Sequence, residues 1–451
     1  MKAEQNTNNS INSILNSINL INDFAVYGEV TSIRGLIVEC KGLESFLTIG
    51  THCLIINNTQ EILAEVVGFK EKTAILMPFG DLDGIGIGSK VKLISERPLI
   101  YPEQNWLGRV INAFADPIDN KGSLPPGLTG YSLKNSPPPA HKRQRINNKI
   151  DLGVKAINSF TTCCYGQRMG IFAGSGIGKS VLMSMITRYA KADIKIIGLV
   201  GERGREVQEF IHSYLGEEGL LNTIVVVATS DEPALVRRQA AYLTLTLAEY
   251  FRDQGKEVLC IIDNITRFAM AQREIGLASG EPPTSKGYTP SVFSELPKLL
   301  ERAGPGTNNT SITGFFTVLV EGDDQNEPIT DTVRGILDGH IFLDRTIAER
   351  GRFPAVNILR SISRTMPECN TEQEYQLIQY AKKLISIYHD MAEIIRIGAY
   401  KRGSDPEVDQ AILYHPKLEH FFTQHPRESV DLKTSYQQLA EALDYTQLQY
   451  D

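Results

Sequence analysis

Tryptophan occurs once in these 451 residues and cysteine only six times, with no C-x-x-C pair and no Cys/His group at metal-ligand spacing. That excludes a disulfide framework and a structural zinc site. Cys40, Cys53, Cys163, Cys164, Cys260 and Cys369 are expected to be reduced core residues of a cytosolic protein, with Cys163-Cys164 a buried pair. Positive charge is not in excess: 46 Lys and Arg face 53 Asp and Glu, a formal net charge of −7. A nucleic-acid binder working through a broadly basic surface is therefore excluded. Long hydrophobic runs are also missing. No stretch approaches the roughly 20 apolar residues of a membrane span. The start, Met1-Lys2-Ala3-Glu4-Gln5, lacks the apolar core of a signal peptide. Any membrane association is expected to be peripheral.

What is present is an ordinary globular balance, 42% apolar and 22% charged, with length for about three domains at roughly 150 residues each. Ile11, Ile14, Leu15, Ile18 and Ile21 recur at helical spacing in an Asn-rich segment, 1–24. The stripe reads either as a helix packed on its own domain or as a docking helix for a partner. Residues 25–97 change to short β-like runs, clearest at 35–40, 61–68, 73–77 and 90–94, which predicts a small barrel. The region 98–366 begins with Gly108-Arg109-Val110 and Pro137-Pro138-Pro139, an expected extended linker, and with a solvated basic run at 141–145. From residue 150 strands alternate with helices, which predicts an α/β parallel sheet with helices on both faces. Helical patterns dominate 367–451, from 372 to 397 and again after 407.

The chemistry sits at strand ends. The apolar strand 168–172 runs into Ala173-Gly174-Ser175-Gly176-Ile177-Gly178-Lys179-Ser180, and a helix begins at about Val181. This is the strand–loop–helix setting of a phosphate-binding loop: glycines turn N–H groups inward around the phosphates of ATP, and the helix dipole assists. Lys179 is placed to reach the β/γ oxygens and Ser180 to ligate Mg²⁺. Strand 194–200 ends in Gly201-Glu202-Arg203-Gly204, where Glu202 is either a water-polarising carboxylate or half of a surface ion pair. Ser230-Asp231-Glu232-Pro233 is expected to cap a helix reaching about Asp253, which Gly255 ends. Strand 257–262 then delivers Asp263, the expected Mg²⁺-water ligand. Strand 312–320 is a further apolar run. Arg364 in Ser361-Ile362-Ser363-Arg364 is by default a paired or solvated side chain, and otherwise an arginine finger for a neighbouring subunit.

The run 201–207 (Gly-Glu-Arg-Gly-Arg-Glu-Val), together with 263–268, 287–290, 299–302, 338–340, 348–355 and 403–406, resembles the type III secretion ATPases, relatives of the rotary ATP synthase catalytic subunit. The resemblance runs from about residue 30 onward and lies nearest the flagellar export branch. It implies a RecA-like ATPase core behind an N-terminal β-barrel and before a C-terminal helical domain. By the same resemblance Glu202 is the catalytic carboxylate, Arg203 lies near the γ-phosphate, Arg364 is the finger and Phe353 stacks on adenine. One chain would carry both halves of each site, which implies a homohexamer. The family also implies a regulatory partner on the N-terminal helix, a central stalk protein, and an export gate with chaperones and export substrates at the cytoplasmic face of the inner membrane. The acidic rotor-contact motif of the synthase catalytic subunit is not seen. Residues 398–412 read Gly-Ala-Tyr-Lys-Arg-Gly-Ser-Asp-Pro-Glu-Val-Asp-Gln-Ala-Ile instead. An injectisome ATPase, a non-hydrolysing ring subunit and an RNA translocase are the alternatives. The second lacks the Glu202 carboxylate, and the third needs an aromatic-basic stretch in the barrel.

Overall fold

The computed structural model describes residues 26–57, 60–95, 98–146, 148–307, 310–320 and 327–446. The expected docking helix in 1–24 lies outside them. The chain divides between Pro98 and Leu99 into two compact units.

In the first unit, β1 (Tyr27–Arg34), β2 (Ile37–Lys41), β3 (His52–Ile56), β4 (Glu61–Lys70), β5 (Thr73–Pro78) and β6 (Lys90–Ser95) close into a barrel in the order β1-β2-β5-β4-β3-β6. Alternation fills it: Val30, Val38, Cys40, Cys53, Ile55, Ala64, Val66, Leu76 and Val91 point inward and are buried. Bulges between Val30 and Ser32 and between Val66 and Gly68 bend the strands enough to close. β1 and β3 escape the sequence reading because their apolar positions are interrupted by Glu29, Thr31 and Ser32 or are too few to form a run.

The second unit is built on β8 (Val110–Asn112), β10 (Arg168–Ala173), β11 (Ile194–Glu202), β12 (Thr223–Thr229), β13 (Val258–Asp263), β14 (Gly304–Pro305), β15 (Ser311–Leu319), β16 (Gly339–Phe342) and β17 (Ile362–Ser363). The short pair β7 (Leu99–Ile100) and β9 (Tyr131–Ser132) stands apart. The sheet order is β17-β16-β10-β15-β13-β11-β12-β8, with β14 on β15. It is parallel except at β14 and β17. The central strands are buried on both faces, as near-continuous apolar sequence requires.

Three expectations change here. The stretch expected as an extended linker supplies the edge strand β8, which pairs with β12 and buries Ile111 completely. It is held by Arg109, whose Nε donates to Asp119 at 2.7 Å. In the basic run, Arg143 turns inward and donates to the Glu301 carbonyl at 2.7 Å, because that carbonyl ends a helix and needs a donor. The helix Ala234–Asp253 starts as expected, but Pro233 takes its N-cap position and no side chain caps it there.

After Thr365 the regular elements of the described residues are all helices. Thr371 and Glu374 form a reciprocal capping box that starts the helix Glu372–Arg396. Asp405 caps the helix Pro406–Phe422, and Asp431 caps Leu432–Ala442. These helices share a core with the sheet: the Phe160 ring lies 5.2 Å from Phe422, and Thr162 Oγ1 is 2.8 Å from the Tyr436 hydroxyl.

Candidate active site

Parallel strands end together, so their C-terminal ends collect the loops that meet a ligand. β10 ends at Ala173, and the loop after it needs positive φ at Gly176 (76°) and Gly178 (92°). Gly178 is the N-cap of the helix Lys179–Tyr189, which begins two residues before the expected Val181. Ile177 is buried and anchors the loop, whereas Ser175 and Gly176 face solvent. Ser180 and Val181 are half-buried in the helix's first turn.

β11 and β13 are adjacent and parallel, with Leu199 opposite Asp263. Glu202 and Asp263 therefore emerge side by side beside the loop. Lys179 Nζ donates to Glu202 Oε1 at 3.1 Å and to Asp263 Oδ1 at 2.5 Å. Burial opposes the Lys179 ammonium, but Asp263 and Glu202 outweigh it and hold its pKa above the ordinary value. Burial also pushes the Asp263 carboxyl upward, against the pull of Lys179.

Three residues not assigned a role from the sequence complete this cluster. Asn264 Nδ2 donates to Glu202 Oε1 at 2.7 Å, while its Oδ1 caps the helix Ile265–Ala278 through the Arg267 N–H. Thr317, on β15, donates to Asp263 Oδ1 at 2.5 Å. Arg345 donates through Nη2 to the Ser175 carbonyl at 3.2 Å. Asn264 was legible as an N-cap residue after a strand, and Thr317 as a polar interruption of an apolar one. Nothing in the sequence flags Arg345.

Gly201 makes the turn into Glu202 at φ 72°, and a Cβ there would stand 2.7 Å from Arg267 Cβ. Arg203 is exposed at the N-cap of the helix Gly204–Glu209. Phe353 is 43% exposed, and its ring would lie 3.6 Å from a Cβ on Gly178, so an open aromatic face borders the loop. The Gln424 N–H, from the helical end of the chain, holds the Phe353 carbonyl at 2.9 Å. A cavity of about 260 Å³ adjoins the loop, lined by Ala173, Gly174, Val320, Asp344, Arg345 and Arg360.

Arg364 is not brought to this cluster. Ser363 pairs with Gly339, which pairs with Met169 near the start of β10. The loop begins four residues further along, about 13 Å at 3.3 Å per residue. Arg364 is exposed beside the open edge strand β17, in a cavity shared with Arg334, His340 and Arg360.

The chain is similar to known proteins over most of its length. Residues 153–363 match the ATP synthase alpha/beta family, nucleotide-binding domain. Residues 24–93 match that family's beta-barrel domain, and residues 370–441 match the T3SS EscN ATPase C-terminal domain. The chain is 55% identical over 438 residues to the flagellum-specific ATP synthase of Caulobacter vibrioides, covering 96% of this chain and 99% of that protein. It superposes on the assembled ATPase EscN of the enteropathogenic E. coli type III secretion system with a TM-score of 0.87. That match has 42% identity and covers 92% of this chain and 100% of the other. EscN in complex with its central stalk EscO matches with a TM-score of 0.85 and 41% identity, over 92% of this chain and 100% of that one.

Proposed function

The chain belongs to the ATP synthase alpha/beta family, in the branch that serves type III export, and from that membership we propose that it hydrolyses ATP to drive flagellar protein export. The observation that carries the reading is the convergence of Lys179, Glu202 and Asp263 beside the glycine loop. Two carboxylates and an ammonium at the C-terminal edge of a parallel sheet provide both charge neutralisation and a base for water.

The loop 173–178 and the first turn through Ser180 and Val181 would cradle the phosphates with backbone N–H groups. An arriving γ-phosphate competes with Glu202 and Asp263 for Lys179, so binding releases the carboxylates for their own tasks. Glu202, oriented by Asn264, then accepts a hydrogen bond from the attacking water. Arg203 lies next along the chain, placed to approach the same phosphate. Phe353 offers its face to adenine. Magnesium fits the donor set, since the Ser180 hydroxyl and the Asp263 carboxylate, the latter through water, are hard oxygen ligands. When bound, magnesium held there would offset the negative charge of the phosphates.

Arg364 stands at the wrong end of its own sheet and on an open edge, which supports a role toward a neighbour's nucleotide. The functional particle is then a homohexamer whose sites are each shared between two subunits. EscN forms an assembled ATPase and binds a central stalk protein; we assign the same assembly to this chain. Chaperones, export substrates, the export gate, a regulatory partner on the N-terminal segment and a place at the cytoplasmic face of the inner membrane belong to the same proposal. No helix among the described residues is long and apolar enough to cross a membrane. An injectisome role is the second reading, favoured by the EscN match, but its 42% identity falls below the 55% of the flagellar relative.

The test pairs two variants. Glu202→Gln keeps ATP binding and loses turnover by at least about a hundredfold. Arg364→Ala loses turnover by about a thousandfold or more, while the wild-type rate per subunit climbs with protein concentration. Near-normal hydrolysis by Glu202→Gln would refute the site. A concentration-independent rate with an active Arg364→Ala would refute the shared one.

A further inference from the structure

The site chemistry uses no thiol, yet two cysteines far apart in sequence meet beneath the sheet. Cys164 is buried at the start of the turn into β10, and Cys369 is half-exposed at the end of the short helix Met366–Cys369. The two thiols lie within hydrogen-bonding reach of each other. Separate contacts tie the two segments together through Gln167. Gln167 Oε1 accepts from the Cys164 N–H at 2.9 Å and from Thr365 Oγ1 at 2.8 Å, and Gln167 Nε2 donates to Ser363 Oγ at 2.9 Å. Lys149 is bridged to Cys164 through the backbone, and its ammonium lies 4.9 Å from the Tyr436 ring and 2.5 Å from Glu374 Oε2.

We propose that Cys164 and Cys369 form a peroxide-oxidisable dithiol, a modification site whose disulfide fastens the segment after Arg364 to the base of the nucleotide-binding sheet. The thiols are poised unequally. The hydrogen bond from Cys369, joined by Thr365 and by the positive charge of Lys149, holds the Cys164 thiol below its ordinary pKa despite burial. Cys369, which keeps the shared proton, is pushed far above. Cys163 is a poor competitor: burial pushes its thiol well up, and its Sγ points to the Cys164 carbonyl at 3.7 Å.

The Cys164 thiolate attacks one peroxide oxygen; the O–O bond breaks, an S–O bond forms, and hydroxide leaves as water after taking a proton. The Cys369 sulfur then displaces the hydroxyl from the sulfenic acid, gives up its proton and forms the S–S bond, releasing a second water. Two thiols lose two electrons and one peroxide becomes two waters, so the step balances. A small oxidant suits a pair open to solvent only at Cys369. In a reducing compartment such a bond is transient, as a sensor requires. Its effect on turnover rests on the role proposed for Arg364; its formation does not.

The test is to treat the full-length chain with equimolar hydrogen peroxide, alkylate it after unfolding, and map the peptides. The expected result is loss of two of the six free thiols, with a Cys164–Cys369 linked peptide that dithiothreitol cleaves. Cys163→Ser should still lose two thiols, and Cys369→Ser, altered at a half-exposed position, should give no link. Retention of all six thiols, a link through Cys163, or oxidation that stops at Cys369 with Cys164 free would each overturn the proposal.

Discussion

Removing Arg302 should destabilise the second unit more than most single changes, and the amount follows from its surroundings. Its side chain is 2% exposed and that of Glu249 is 1% exposed. Arg302 Nε and Nη2 each donate to a Glu249 oxygen at 2.8 Å, Nη1 donates to the Leu133 carbonyl at 2.7 Å, and Nη2 also reaches Thr246 Oγ1 at 2.9 Å. Arg302→Met leaves a carboxylate buried without its partner, a cost of roughly 3–5 kcal/mol, and leaves the Leu133 carbonyl only the longer Thr246 contact at 3.5 Å, for about 1 kcal/mol more. Glu249→Leu strands the guanidinium at roughly the same 3–5 kcal/mol. The double variant buries neither charge, so only the weakened Leu133 carbonyl, Thr246 and the Asn135 amide, which donates to Glu249 Oε2 at 3.2 Å, remain to cost about 2 kcal/mol. The two changes should thus couple by roughly 4 kcal/mol or more. Urea unfolding read by tryptophan fluorescence isolates this unit. Trp106 is the sole tryptophan of the chain; it is 4% exposed, and its Nε1 donates to the Pro125 carbonyl at 2.9 Å. A double variant as damaged as the sum of the singles would refute the reasoning, because the pair would then not act as a unit.

Gly201→Ala forces a side chain into a left-handed backbone and against Arg267; roughly 1–2 kcal/mol of strain and at least a tenfold loss of kcat are expected, because Glu202 is the next residue. An ATPase assay showing an undiminished kcat would contradict the placement. Thr317→Val removes the hydroxyl that donates to Asp263, so in an ATPase titration half-maximal activity should need a higher magnesium concentration, with about 1 kcal/mol less stability. His415 stacks on Tyr388 at 3.5 Å. Burial and the nearby Arg352 and Arg350, opposed by Glu419, hold its pKa below the ordinary value. Its neutral form is therefore favoured when folded. That stability is complete above the unfolded value of about 6.5 and is lost as pH falls below it. Urea midpoints at about pH 7.5 and about pH 5.5 should differ less in His415→Gln than in the wild type; an unchanged difference would remove His415 from the account.

Much of the nucleotide-binding sheet was legible because each of its central strands is a bounded apolar run, and because chemistry-bearing residues follow such runs directly. Ala173, Glu202 and Asp263 could each be read at the end of a strand, and the structure does bring Lys179, Glu202 and Asp263 together. What stayed hidden depends on partners remote in sequence. β8 is three residues long and becomes a strand only because β12 offers it an edge. Arg345 meets Ser175 across 170 positions. The interior of Phe210–Leu215, where the helix widens to π geometry before Gly216 turns at φ 65°, carries no local signal distinct from an α-helix.

The nucleotide-binding sheet ends in strands of three residues on one side, β8, and two on the other, β17. The barrel strands form a closed ring. An edge this short offers too few free N–H and C=O groups to template another chain. A protein that packs against copies of itself is at constant risk of fusing with them by strand exchange. With its edges clipped, such a protein can be crowded at high local concentration and still separate, because what holds neighbours together must be side-chain contacts rather than a shared sheet.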